Sequence, residues 1–240
     1  MSKKNSNKRF ILGLAVAFLL PLSFYLVTLI LSKDKVHLPK YYITESIDSQ
    51  LTDGKMVYDT IHHQTRDLEL INQLGREVSL NTDLQGKILV VDFFFTHCPT
   101  VCPRLTGNMA FLQKAFKKDK KKQLALDTMV HFVSISVDPE RDSVPALRAY
   151  AERYNTNHDK WWFLTGSKPA IYDFARNELA LSVQPGDGGP HDVIHTQKIV
   201  LLDQQRYIRG YYDGLDTLEL NRCAEDIVLL SLEKKHEGKR

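Results

Sequence analysis

Cysteine is scarce in this chain. There are three in 240 residues, too few for a disulfide framework, so the fold has to rest on a core rather than on staples. Charge of one sign is scarce as well. The 32 Lys and Arg nearly balance 29 Asp and Glu, and the surplus of +3 is scattered, which argues against nucleic acid as a partner. With 12 Gly and 9 Pro, the chain is neither collagen-like nor low in complexity. No segment repeats, which excludes solenoids and propellers. What is present is the composition of a globular protein, 43% hydrophobic and 25% charged, at a length that allows one ordinary domain plus extras.

The first extra is N-terminal. Lys3, Lys4, Lys8 and Arg9 precede "FILGLAVAFLLPLSFYLVTLIL", an uncharged run over residues 10–31. As a helix it would span roughly 33 Å, enough for a bilayer core. A cleaved secretory signal carries an apolar stretch of only about 7–15 residues and ends in small residues. This run is longer and ends in "LSKDK", so a retained anchor is expected, and Pro21 is tolerable inside a membrane helix. The basic arm predicts a cytoplasmic N-terminus (residues 1–9) and an exported remainder. A single pass through a bacterial inner membrane follows, with the domain facing the periplasm or exterior. Residues 32–58 are polar and read as an irregular tether, residues 59–235 as the domain, and residues 236–240 as a tail.

Within the domain, "RDLELINQLGREVSLNTDLQGK" reads as two short strands around Gly75, with a turn at Gly86. "ILVVDFFF" is a continuous apolar run, the mark of a strand buried on both faces. Pro103 suits the first helical position, and Leu105, Met109, Leu112 and Phe116 follow at helical spacing. Then come a second buried strand ("MVHFVSISV"), a helix over 143–154, a strand ("WWFLTG"), and a helix over 169–180. "KIVLLDQQRYIRGYYDG" predicts a hairpin turning at 204–206, and an amphipathic helix over 217–232 closes the chain. This order predicts an α/β fold, a mixed central sheet flanked by helices. The lysines of residues 117–122 read as a solvated helix end.

The chemistry concentrates in "VVDFFFTHCPTVCPRLTGNM". Cys98 precedes Pro99 and Cys102 precedes Pro103, so both are predicted to be extended or in a turn. The pair then forms a stiffened loop at the carboxyl end of a central strand, where open α/β sheets place their ligands. Cys102 falls near the N-cap of the following helix, and at least one thiol there should be acidified. Three residues separate the cysteines, one more than in the CxxC of dithiol oxidoreductases, which widens the loop toward admitting an ion. A reversible disulfide and a soft metal both remain compatible with it. A metal needs a further ligand. Of nine histidines, His131 reads as a satisfied core residue, and His97 adjoins Cys98 but points away. His191 and His195, both within "SVQPGDGGPHDVIHT", in the Gly-rich loop and at the entry to the next strand, are the candidates. Two thiolates and an imidazole suit copper, with zinc as the competitor. Asp138 in "VDPERD" reads as a supporting acceptor or a helix cap, Cys223 as core, and Trp161 and Trp162 as packing at a strand edge.

Four blocks in order, "DFFFTHCPTVCPRLTGNM", "VHFVSISVDPERDSVPALRAYAERY", "WWFLTG" and "DVIHTQKIVLLDQQRYIRGYYDG", resemble the Sco/SenC family of thioredoxin-like proteins tied to copper insertion into cytochrome c oxidase. The resemblance covers about residues 65–230 and implies a thioredoxin-like fold. It implies Cys98 and Cys102 as copper thiolates and His195 as the imidazole ligand, with His191 secondary. The implied partners are a copper-accepting oxidase subunit and a thiol reductase on the same side of the membrane. Thr100 and Ile194 stand where the family often carries acids, which favours Cu(I) over Cu(II). The thioredoxin-like order of elements and an acidified cysteine also suit a thiol–disulfide oxidoreductase, working through Cys98 and Cys102 to keep the cysteines of an oxidase subunit or other exported protein reduced.

Overall fold

The computed structural model describes residues 4–31, 40–52, 55–116, 126–181 and 196–233. The chain divides into two units, Met1–His37 and Leu38–Arg240. The first is the helix α1 (Lys4–Leu31), which continues through Pro21. Its stretch Phe10–Thr28 has a mean hydropathy of 2.4 and no buried residues, and is long and apolar enough to cross a membrane. Ser23 and Thr28 donate their hydroxyls to the carbonyls of Leu20 and Tyr25, at 2.8 Å each, so neither polar group is left unpaired in an apolar surround.

In the second unit a seven-stranded sheet has the order β4-β3-β7-β6-β5-β8-β9. Its strands are β3 (Glu69–Asn72), β4 (Glu77–Ser79), β5 (Ile88–Phe94), β6 (Val130–Ser136), β7 (Trp161–Thr165), β8 (Lys198–Leu202) and β9 (Ile208–Asp213). The three middle strands β5, β6 and β7 run parallel, and β3, β4, β8 and β9 complete the sheet antiparallel. The expected mixed sheet is therefore present. Every residue of β5 and of β6 is buried, as their unbroken apolar runs require when both faces are covered. The helices are α2 (Val101–Ala115), the short α3 (Leu126–Met129), α4 (Val144–Arg153), α5 (Lys168–Asp173) and α6 (Thr217–Leu232).

Four expectations need correction. The tether over 32–58 is not irregular throughout: β1 (Thr44–Thr52) and β2 (Lys55–His62) pair as an antiparallel hairpin. A two-stranded ribbon is marginal alone, and this one is rooted in the domain. Tyr42 donates its N–H to Ile208 O (3.2 Å), Thr65 to Arg206 O (3.1 Å), and the His63 ring meets Glu45 Oε1 at 2.7 Å. The helix foreseen over 169–180 is shorter, and passes from α5 into a π-helical turn over Phe174–Glu178. Trp161 does not lie at a sheet edge. It is fully buried on β7, between β3 and β6, and its indole donates to Ser134 Oγ at 2.9 Å. His131 is buried as foreseen, its ring edge-on to Trp162, but its Nε2 has no hydrogen-bond partner. Cys223 is buried in α6 as expected. The lysines of 117–122 lie outside the described residues.

Candidate metal centre

The site starts where β5 ends. Val137 N–H continues the ladder to Phe94 O (2.9 Å), and after that the two strands part. The chain turns through Thr96 and His97, closed by Cys98 N–H to Phe95 O at 3.2 Å. Helix α2 follows with Thr100 as its N-cap and Val101 as its first residue. Cys102 is thus the second helical residue rather than the cap, and Pro103 the third rather than the first. Proline loses nothing there, because the first turn of a helix has no internal acceptors for its N–H groups. The bias of a pre-proline residue against the helical region is overridden at Cys102, whose N–H reaches Cys98 Sγ at 3.3 Å. The Thr100 side chain caps nothing, so the sulfur does the work of a capping oxygen.

This contact separates the two thiols. Cys98 and Cys102 are 7% and 5% exposed. Burial works to raise Cys98, but the N–H groups of Cys102, Thr100 and Val101 and the Cys102 thiol all point at its sulfur and hold its pKa below the ordinary value. Cys102 is pushed well up, first by burial and then by its hydrogen bond to Cys98. The acidified thiol foreseen at the head of the helix is therefore Cys98. The pair consists of one thiolate-prone sulfur and one reluctant thiol, which suits nucleophilic exchange and, once both are deprotonated, a soft ion.

The loop is tied down by a residue that spacing did not reveal. Asp142 is fully buried and accepts Thr96 N–H (3.1 Å to Oδ2), the Thr96 hydroxyl (2.5 Å) and the Ser136 hydroxyl (2.5 Å). It clamps the loop before the dithiol to the end of β6. Asp138, which drew attention in the sequence, is instead bonded to Arg141, and the cap position of α4 belongs to Ser143. A second hidden acid, Asp92 on β5, accepts from Ser134 and has an unpaired Oδ2. Burial raises its pKa to about 7. Neither acid had a local signal beyond lying in or beside an apolar strand.

Of the sequence-predicted ligands, the structure brings Cys98 and Cys102 together. His191 and His195 lie outside the described residues. Among the described residues no three His, Cys, Asp or Glu side chains are grouped to hold an ion, so a third resident ligand would come from outside them. The donors present, two sulfurs of which one readily ionises, fit a soft metal such as copper.

A family profile described as SCO1/SenC matches residues 59–228. The chain belongs to the SCO1/SenC family. Among curated relatives, the SCO1 protein homolog of Bacillus subtilis (strain 168) is 31% identical over 175 residues, 72% of this chain and 86% of the relative. Among solved structures, BsSco, a member of the Sco family of cytochrome c oxidase assembly proteins in which a disulfide switch was identified, superposes with a TM-score of 0.60. It is 32% identical, with 72% of this chain and 95% of BsSco covered. Arabidopsis thaliana ScoI with copper bound superposes at 0.54 and 25% identity, with 70% and 97% covered. The SCO1/SenC domain here accordingly has the thioredoxin-like architecture of these neighbours, and carries in addition an N-terminal apolar helix.

Proposed function

We propose that this SCO1/SenC protein is a membrane-anchored copper metallochaperone. It holds one Cu(I) between Cys98, Cys102 and His195 and serves assembly of the binuclear copper site of cytochrome c oxidase. The observation that carries the reading is the buried, hydrogen-bonded thiol pair at the carboxyl end of a central parallel strand. Copper in Arabidopsis ScoI and the oxidase-assembly family of BsSco support it. The topology supports His195 over His191. Strand β8 is antiparallel to β5, with Val91 opposite Val200, so its first residues adjoin the end of β5 that leads into the dithiol loop. Gln197 O receives Gly214 N–H at 2.8 Å, and a Cβ on Gly214 would stand 3.0 Å from that oxygen and 2.1 Å from Leu105 Cδ1. Gln197, two residues after His195, is therefore beside the first turns of α2, and Leu105 is one turn beyond Cys102.

In this reading the copper-accepting oxidase subunit takes the ion by ligand exchange, and a thiol reductase keeps the pair reduced so that it can bind. The apolar helix holds the domain at a bacterial inner membrane, facing the periplasm or exterior. The second reading, a thiol–disulfide oxidoreductase acting on the cysteines of an exported protein, is favoured by the divided acidity of Cys98 and Cys102 and by the disulfide switch of BsSco.

An anaerobic Cu(I) competition titration on the reduced full-length protein in detergent separates them. The expected result is one Cu(I) per chain, with affinity weakened about tenfold or more in both Cys98→Ser and His195→Ala. If the unmodified protein binds Cu(I) no better than Cys98→Ser, the copper reading fails. The pair is then a redox dithiol, for which both cysteines are essential and His195 is dispensable.

A further inference from the structure

Both sulfurs are nearly closed off from solvent, yet a chaperone has to load and unload. Next to Cys98 in the chain stands a potential ligand at the surface, His97, whose side chain is 62% exposed. Its ring is not free to choose its tautomer, and the hydrogen bonds around Asp142 show why.

Ser136 Oγ accepts the Asp138 N–H at 3.1 Å and sends its own hydrogen to Asp142 Oδ2. Thr96 sends both its N–H and its hydroxyl hydrogen to the same carboxylate. As a carboxylate Asp142 is an acceptor only, and the single hydrogen on Thr96 Oγ1 is then spent on it. His97 Nδ1 lies 3.0 Å from Thr96 Oγ1 and 3.9 Å from Asp142 Oδ1. Oγ1 can only accept there, so Nδ1 must carry the hydrogen, and in the neutral ring Nε2 presents its lone pair. A carboxylate that orients an imidazole through its far nitrogen is the outer-shell arrangement of metal-binding histidines. Here it is built with one hydroxyl interposed, and the ring it orients belongs to the residue next to Cys98.

Resting on the copper reading above, we propose that His97 is a transfer ligand, whose Nε2, held ready by Thr96 and Asp142, takes Cu(I) from its donor and passes it to the buried Cys98–Cys102 pair, and reverses the route on release. The step is ligand exchange. The bond to Nε2 forms as a bond to the departing ligand breaks, copper stays Cu(I), and no electron is moved. A single imidazole binds Cu(I) less firmly than paired thiolates, so the ion does not stay there.

The test compares full-length protein in detergent with its His97→Ala variant in two stopped-flow experiments. Loading is followed from the Cu(I)–bicinchoninate complex, and unloading into excess bathocuproine disulfonate. Loading and unloading should each slow about tenfold in His97→Ala, the two falling together, and free imidazole added to the buffer should restore them. A packing role alone would give no imidazole rescue. Nitrogen-15 NMR of the metal-free protein supplies a second readout: His97 should show the Nδ1–H tautomer, and Thr96→Val should lose it. Exchange at the wild-type rates in a copper-binding His97→Ala overturns the proposal. So does faster release with unchanged loading, which would make His97 a resident ligand. If the unmodified protein takes up no Cu(I), the copper reading itself falls and this one falls with it.

Discussion

At the scale of single residues, the chemistry of the site depends on which sulfur receives the helix N–H groups. Cys98 receives them, whereas Cys102 and Cys223 are both raised, first by burial and then, for Cys102, by its hydrogen bond to Cys98 and, for Cys223, by the charge of Asp226. Iodoacetamide at neutral pH should therefore alkylate Cys98 before either of the others in the native reduced protein, and the peptide mass should show it. Alkylation of Cys102 first would refute the assignment. The sign follows from ionisation: as pH falls, Cys98 is the last of the three to lose its thiolate, so its share of the labelling should grow toward acid pH. The CxxxC motif and its strand–loop–helix setting were legible in the residues. The direction of the split was not, because it depends on Cys102 adopting a helical conformation against the pre-proline bias.

At the scale of elements, the dithiol loop is held by what happens at the end of β6. Asp142 is forty-odd residues from Thr96 and receives hydrogen bonds from the Thr96 N–H and hydroxyl and from the Ser136 hydroxyl. Asp142→Ala strands buried donors, each costing about 1–3 kcal/mol. The folded domain should lose about 3 kcal/mol in chemical denaturation, and the loop should lose amide protection in hydrogen exchange first. An unchanged midpoint with unchanged protection at residues 96–98 would show that the clamp is dispensable. The hairpin and the π-helical turn belong to the same scale. Glu178, the last residue of that turn, accepts from Arg66 N–H and Nε at 2.8 and 2.6 Å. It thereby fixes the root of a ribbon that polar composition had disguised as a tether.

At the scale of the molecule, two buried ionisable groups on neighbouring strands oppose each other as pH changes. His131 has its pKa lowered from 6.5 to about 3, by burial and then by the charges of Lys160 and Lys87. Its contribution to stability is present above 6.5 and is lost as pH falls through that window. Asp92 is raised from 3.8 to about 7 by burial, so its contribution is present below 3.8 and is lost as pH rises toward 7. Each contributes a slope of up to about 1.4 kcal/mol per pH unit, with opposite signs. The wild type should therefore show a nearly flat stability between about pH 4 and 6.5. His131→Leu should remove one slope and become more stable, relative to its own value near neutrality, as the solution is acidified. Thermal unfolding of both proteins across that range checks it, and parallel curves would show that His131 is not protonated on unfolding.

What the sequence determined by itself were the features carried by short-range pattern. These were an apolar run long enough for a bilayer, two uninterrupted strands with a dithiol after the first, and the hairpin and helix that close the chain. Periodicity, proline and the spacing of cysteines act over a few residues and can be read in order. Only the tertiary structure decided which thiol is acidic, which carboxylate clamps the loop, and which nitrogen of His97 holds the hydrogen. It also showed Arg206, in left-handed conformation, donating to the carbonyls of Leu80, Leu84 and Lys87 far earlier in the chain. These properties depend on partners brought together from distant segments and on the loss of water around them, and neither distance in space nor desolvation is written in the local order of residues.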